Sequence, residues 1–183
     1  LDTSRIELKT NLKVAICGFA NTGKTCFREG LKQALHQIPN APKSYVVSGC
    51  PDGDGSWFSE TARRDPDLAN KLKAEYKAKF TQEFAQFKAQ EFGSVSEPIF
   101  VFDVGGKISE ENRTIMAEAS HAVILVKDES EIVAWKKFCE SLNLQVAIIF
   151  SDYHGTFCGV RFIACNVGLM LPKGRWSRLW QGC

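Results

Sequence analysis

The chain has 183 residues, 44% hydrophobic and 24% charged, with 14 glycines and 6 prolines, a mixture that excludes disordered, collagenous and coiled-coil classes and suits one compact domain. Its 23 basic and 21 acidic residues leave a net charge of +2, so overall electrostatics give no drive for polyanion binding. The longest uncharged apolar stretch, Phe162 to Leu171, falls short of the roughly 20 residues of a membrane helix, so a cytoplasmic protein without membrane association is expected.

The first strand is predicted over Lys13 to Cys17, followed by a glycine loop and a helix from Lys24 to His36. A second strand, Ser44 to Ser48, leads into a turn-rich stretch, Pro51 to Gly55. From Trp57 to Phe92 the pattern is helical, with a break at Asp65-Pro66, because proline restricts the residue before it and lacks an amide donor. Leu72, Tyr76, Phe80, Phe84 and Phe87 then read as one apolar face of a single long helix, suited to core or interface packing. Strands follow at Pro98 to Asp103, Ala122 to Lys127 and Gln145 to Phe150, with helices at Ser109 to Ala119 and Glu131 to Leu142 between them. Near-continuous apolar runs separated by helices indicate strands buried on both faces. The expected fold class is therefore a three-layer α/β fold with a parallel five-stranded sheet.

Residues 1–155 are expected to form this domain, and 156–183 an unassigned tail. The charge pattern changes there, since Tyr153 to Cys183 carry 4 basic and no acidic residues. The seven cysteines contain no C-x-x-C pair and read as reduced thiols rather than a zinc site or disulfide framework. His36, His121 and His154 have no ligand spacing and read as structural. The chain begins at Leu1, as expected of a segment cut from a longer protein.

Gly18-Phe19-Ala20-Asn21-Thr22-Gly23-Lys24-Thr25 matches G-x-x-x-x-G-K-S/T between a strand and a helix, the context in which such a loop binds phosphates. In this reading Gly18, Asn21, Thr22 and Gly23 shape a cradle of backbone amides, Lys24 supplies a cation and the Thr25 hydroxyl is placed for magnesium. The apolar run Ile99 to Phe102 ends in Asp103, 78 residues after Thr25. An acid at that strand edge can hold magnesium with Thr25. Asp103-Val104-Gly105-Gly106 fits D-x-x-G, in which the Gly106 amide senses a terminal phosphate.

Val104 stands where a neighbouring catalytic glutamate would be expected in one branch of these ATPases, so the kinase and GTPase branch is the closer likeness. Lys127-Asp128-Glu129 does not reproduce the guanine-reading N/T-K-x-D, which favours ATP over GTP. The turn Cys50-Pro51-Asp52-Gly53-Asp54-Gly55-Ser56-Trp57 falls on the same sheet edge. Asp52 and Asp54 are candidate catalytic residues there, touching magnesium, a water or a second substrate; a plain polar turn explains the same composition. Arg63 and Arg64 are either solvated charges or arginines that reach phosphates as a lid or across a dimer.

Together the phosphate loop, Cys50 to Trp57, Val101 to Gly106 with Ile108 to Asn112 after it, His121 to Val126, and Trp135 to Cys139 resemble the P-loop (AAA-like) domain associated with CRISPR type III ring nucleases. The resemblance covers about Leu12 to Gly155. It implies ATP and magnesium binding at Gly23, Lys24, Thr25 and Asp103, a preceding ring-nuclease domain that cleaves cyclic oligoadenylate messengers, and an antiviral regulatory role. A homo-oligomer is expected. Two other classes stay open: a small-molecule or nucleoside kinase with Asp52 or Asp54 as base, and a binding module that keeps the loop without catalysis.

Overall fold

Alternating short β-branched runs and amphipathic helices build a sheet covered on both faces. The computed structural model of the chain describes residues 11–51, 56–151 and 161–164. In chain order they form β1 (Leu12–Cys17), α1 (Lys24–Gln37), β2 (Ser44–Ser48), α2 (Ser56–Arg64), α3 (Pro66–Ala78), α4 (Gln82–Ser94) and β3 (Ile99–Asp103). These are followed by α5 (Glu110–Met116), β4 (His121–Val126), α6 (Ser130–Glu140), β5 (Gln145–Phe150) and β6 (Arg161–Ala164).

The strand order is β2-β3-β1-β4-β5-β6. Strands β1 to β5 pair in parallel, as the sequence predicts, whereas β6 pairs antiparallel with β5. Among the described residues the sheet therefore has six strands rather than five. The sixth comes from the segment set apart as an unassigned tail, and four residues at a sheet edge are too few to show a pattern. The remainder of that tail, with Trp176 and Trp180, and His154 lie outside the described residues.

Successive side chains along each strand alternate between two buried layers. Ile16, Val101, Leu125 and Ile149 face α1 through Phe27 and Leu31. Ala15, Cys17, Phe100, Phe102, Ile124 and Ile148 pack with Phe92, Ile115, Met116, Trp135 and Phe138 of α4, α5 and α6. Burial on both faces is what makes the strands read as continuous apolar runs. On the second face Phe92 lies 5.0 Å from Phe100 and 4.6 Å from Phe102, centroid to centroid.

The apolar stripe from Leu72 to Phe87 is not one helix. The chain leaves α3 after Ala78 and restarts at Gln82, where the Thr81 hydroxyl caps α4 by accepting from the Phe84 amide at 3.3 Å. Phe80, in the break, turns into the core and meets Phe84 edge-on, while Phe87 is left 62% exposed. The predicted break at Asp65-Pro66 is present, with the Asp65 carboxylate accepting from the Leu68 amide at 2.9 Å. At the other end of α4, Lys13 Nζ donates to the carbonyls of Phe92 and Gly93 at 2.8 and 2.9 Å, a cation on the negative end of a helix dipole. Among the described residues no helix is long and apolar enough to cross a membrane.

Candidate functional site

Parallel register brings the carboxyl ends of β1 and β3 side by side, with Ile16 opposite Asp103 and Ser48 of β2 opposite Asp103 on its other flank. The loop Gly18 to Gly23 leaves β1 at this edge and delivers the chain into α1. Gly18, Asn21 and Gly23 have positive φ values of 133°, 63° and 81°, which curl the backbone between strand and helix. Gly18 can carry no side chain, since a Cβ there would lie 2.1 Å from the carbonyl oxygen of Leu125 in β4. The buried Thr22 hydroxyl donates to the Phe19 carbonyl at 3.0 Å and braces the loop from inside.

Lys24 opens α1 and turns its side chain back over the loop, where Nζ donates to the carbonyls of Gly18 and Phe19 at 3.0 and 2.7 Å. Burial lowers the pKa of this ammonium, opposed by the charges of Cys50, Asp103, Cys17 and Glu131. Thr25, half-buried, follows in the first turn. Behind the loop Phe19 packs edge-on against buried Trp135, centroids 6.0 Å apart. The Cys17 thiol is 3.8 Å from that of Cys139, and burial first, then this neighbour, raises its pKa. Among the described residues, Cys17, Cys26, Cys50 and Cys139 are not joined in disulfides.

Asp103 is buried, and its Oδ1 accepts from Nη1 of Arg28 at 3.1 Å. Burial raises its carboxyl pKa, while Arg28, the Ser48 side chain and Lys24 pull it down. Arg28 is itself 1% exposed, and its Nε and Nη2 also donate to Glu29 at 3.1 and 3.0 Å. The chain after Asp103 then turns across the phosphate loop. A Cβ on Gly106 would lie 2.6 Å from the Ala20 amide nitrogen, so the two backbones touch and only glycine fits.

The structure thus gathers Gly18, Asn21, Thr22, Gly23, Lys24, Thr25, Asp103 and Gly106 at one sheet edge. Asp52 and Asp54 lie outside the described residues. The oxygen donors Thr25 and Asp103 suit a hard cation such as magnesium, and the loop amides suit a phosphate chain. Arg28, three residues beyond Thr25 on the same helix face, was not foreseen from the sequence. Its signal is a charged residue between Phe27 and Leu31, on the side of α1 that faces the sheet. Asn112 was foreseen only as part of a motif, although it is fully buried against Gly105.

This arrangement defines an α/β fold with a P-loop between its first strand and first helix. No family model matches the chain, and no curated protein matches it. Among solved structures, the fold is similar to that of a protein described as a plasmid partition protein from Borrelia burgdorferi B31, bound to AMPPNP. The TM-score is 0.56 at 12% sequence identity, over 81% of this chain and 79% of that one. At that identity the likeness is one of fold. It is a likeness to a partition protein rather than to a kinase or GTPase, and it carries no link to CRISPR systems, cyclic oligoadenylates or ring nucleases.

Proposed function

We propose that the chain binds ATP with magnesium at the loop Gly18 to Thr25 and works as an ATPase or ATP-dependent switch. The observation that supports this reading is the parallel register of β1 beside β3, with Ile16 opposite Asp103, so that the loop leaving β1 starts next to that carboxylate. The AMPPNP bound by the structurally similar partition protein supports an adenine nucleotide. In this reading the loop amides and Lys24 hold the phosphates, Thr25 and Asp103 hold magnesium, and Gly106 meets the terminal phosphate. Asp52 or Asp54 positions a water or second ligand. Bound magnesium supplies charge neutralisation at the phosphates.

Asp103→Asn should weaken nucleotide binding in magnesium by about tenfold or more while changing metal-free binding little, because a neutral amide is a poorer cation ligand. Titrations of AMPPNP with magnesium and with EDTA check this. Equal losses in both would leave Asp103 as a structural partner of Arg28 only. Phosphate release from magnesium ATP then separates a turning-over enzyme from a switch.

The narrower role, regulation of a ring nuclease in cyclic oligoadenylate signalling, rests on the motif run Cys50 to Trp57 and Val101 to Gly106. Under that role the cutting site belongs to another domain, since every phosphate-handling group assigned here lies on one nucleotide edge. Labelled cyclic tetra-adenylate incubated with this chain should therefore stay intact. Linear di-adenylate whose release is abolished by a substitution within these 183 residues would overturn that division of roles.

A further inference from the structure

Gly106 touches the phosphate loop, yet no side chain of its own can hold it there. The holding group is Asn112, on the first turn of α5 and fully buried. Its Oδ1 accepts from the Gly105 amide at 3.2 Å, and its Nδ2 donates to the carbonyls of Gly105 and Lys107 at 2.9 and 2.6 Å. One carboxamide therefore pins the residues on both sides of Gly106. It uses two donor hydrogens and an acceptor together, which a hydroxyl with its single hydrogen cannot do.

The rest of the turn is equally constrained. The Val104 amide donates to the Ile16 carbonyl at 3.0 Å, extending the ladder one residue past β3. A Cβ on Gly105 would sit 3.3 Å from Asn112 Nδ2 and 3.6 Å from the Phe80 ring. Asn112 is in turn held by the start of α5, where its amide donates to the capping Ser109 hydroxyl at 3.3 Å. The path from the phosphate loop to α5 thus runs through Ala20, Gly106 and one side chain.

We propose that Asn112 is a positioning residue that sets the Gly106 backbone against the phosphate loop, and thereby sets how strongly the chain prefers a nucleoside triphosphate over a diphosphate. The inference rests on the nucleotide reading above and adds to it a residue remote from the ligand. A group that fixes only the Gly106 turn acts on the part of the site facing the terminal phosphate. The cradle formed by Lys24 and the Gly18 to Thr25 amides is left as it is, so a diphosphate keeps its contacts.

The test uses the full chain and compares AMPPNP with ADP, both with magnesium, by calorimetric titration. Asn112→Asp keeps the size but turns an acceptor toward two carbonyl oxygens, and Asn112→Ala removes all three bonds. Both should lower AMPPNP affinity about tenfold and leave ADP within about twofold, the scale of one lost hydrogen bond. Thr114→Val, which breaks the bond from Gln82 to Thr114 on the same helix, should leave the ratio unchanged. If the Asn112 variants weaken both nucleotides equally, the positioning role is overturned and nucleotide binding stands. If the unaltered chain binds neither nucleotide, the functional reading itself falls.

Discussion

Arg28→Met is expected to cost about 3–5 kcal/mol of folding stability, the loss found when one partner of a buried ion pair is removed and the other remains buried and charged. Arg28 is 1% exposed and Asp103 is 5% exposed, so water cannot take over the lost contact. Against a typical total of about 5–15 kcal/mol, that is a large fraction. Urea unfolding of the two proteins measures it. The double substitution Arg28→Met with Asp103→Asn should recover part of the loss, because it removes the stranded charge as well. A loss below about 1 kcal/mol for the single variant would mean that the pair behaves as a solvated surface contact. The exposed partner Glu29, at 41% side-chain exposure, contributes little to this expectation.

Lys24→Ala should reduce ATP affinity about ten- to a hundredfold, since charge-assisted hydrogen bonds are worth about 1.5–3 kcal/mol each. The magnitude follows from the position of the ammonium. It is drawn over the loop by the Gly18 and Phe19 carbonyls, so a phosphate oxygen in the cradle meets a cation that is already localised and partly desolvated. ATP-induced shifts in melting temperature for both proteins, corrected for their own melting points, provide the measurement. Equal shifts would place the nucleotide elsewhere. Because Lys24 also braces two loop carbonyls, Lys24→Arg is a useful companion: it keeps the charge and changes the geometry.

These two residues divide the work at the edge of β1 and β3. Lys24 handles charge at the loop, while Arg28, one helical turn further, handles the carboxylate of the adjacent strand. The pair fixes α1 to the sheet by the same contacts that shape the candidate site. Under the proposed function a substitution at Arg28 should therefore act on stability first and on nucleotide binding through Asp103, whereas one at Lys24 should act on binding first.

The phosphate loop, the acid at the end of β3 and the parallel strands were legible in the sequence, because each depends on local order: glycines at fixed spacing, a hydroxyl after a lysine, apolar runs of strand length. The break at Asp65-Pro66 was legible for the same reason. The end of the long apolar stripe was misread, since spacing alone does not reveal that Thr81 caps a new helix and Phe80 turns inward. Arg28, Asn112 and β6 were decided by tertiary structure. The partners of Arg28 and Asn112 come into reach only when α1 and α5 dock beside β3 and the turn after it. Strand β6 is defined only by its ladder to β5. A buried polar side chain needs a partner whose place is set by the fold rather than by its neighbours in the chain, and sequence periodicity holds no record of that partner.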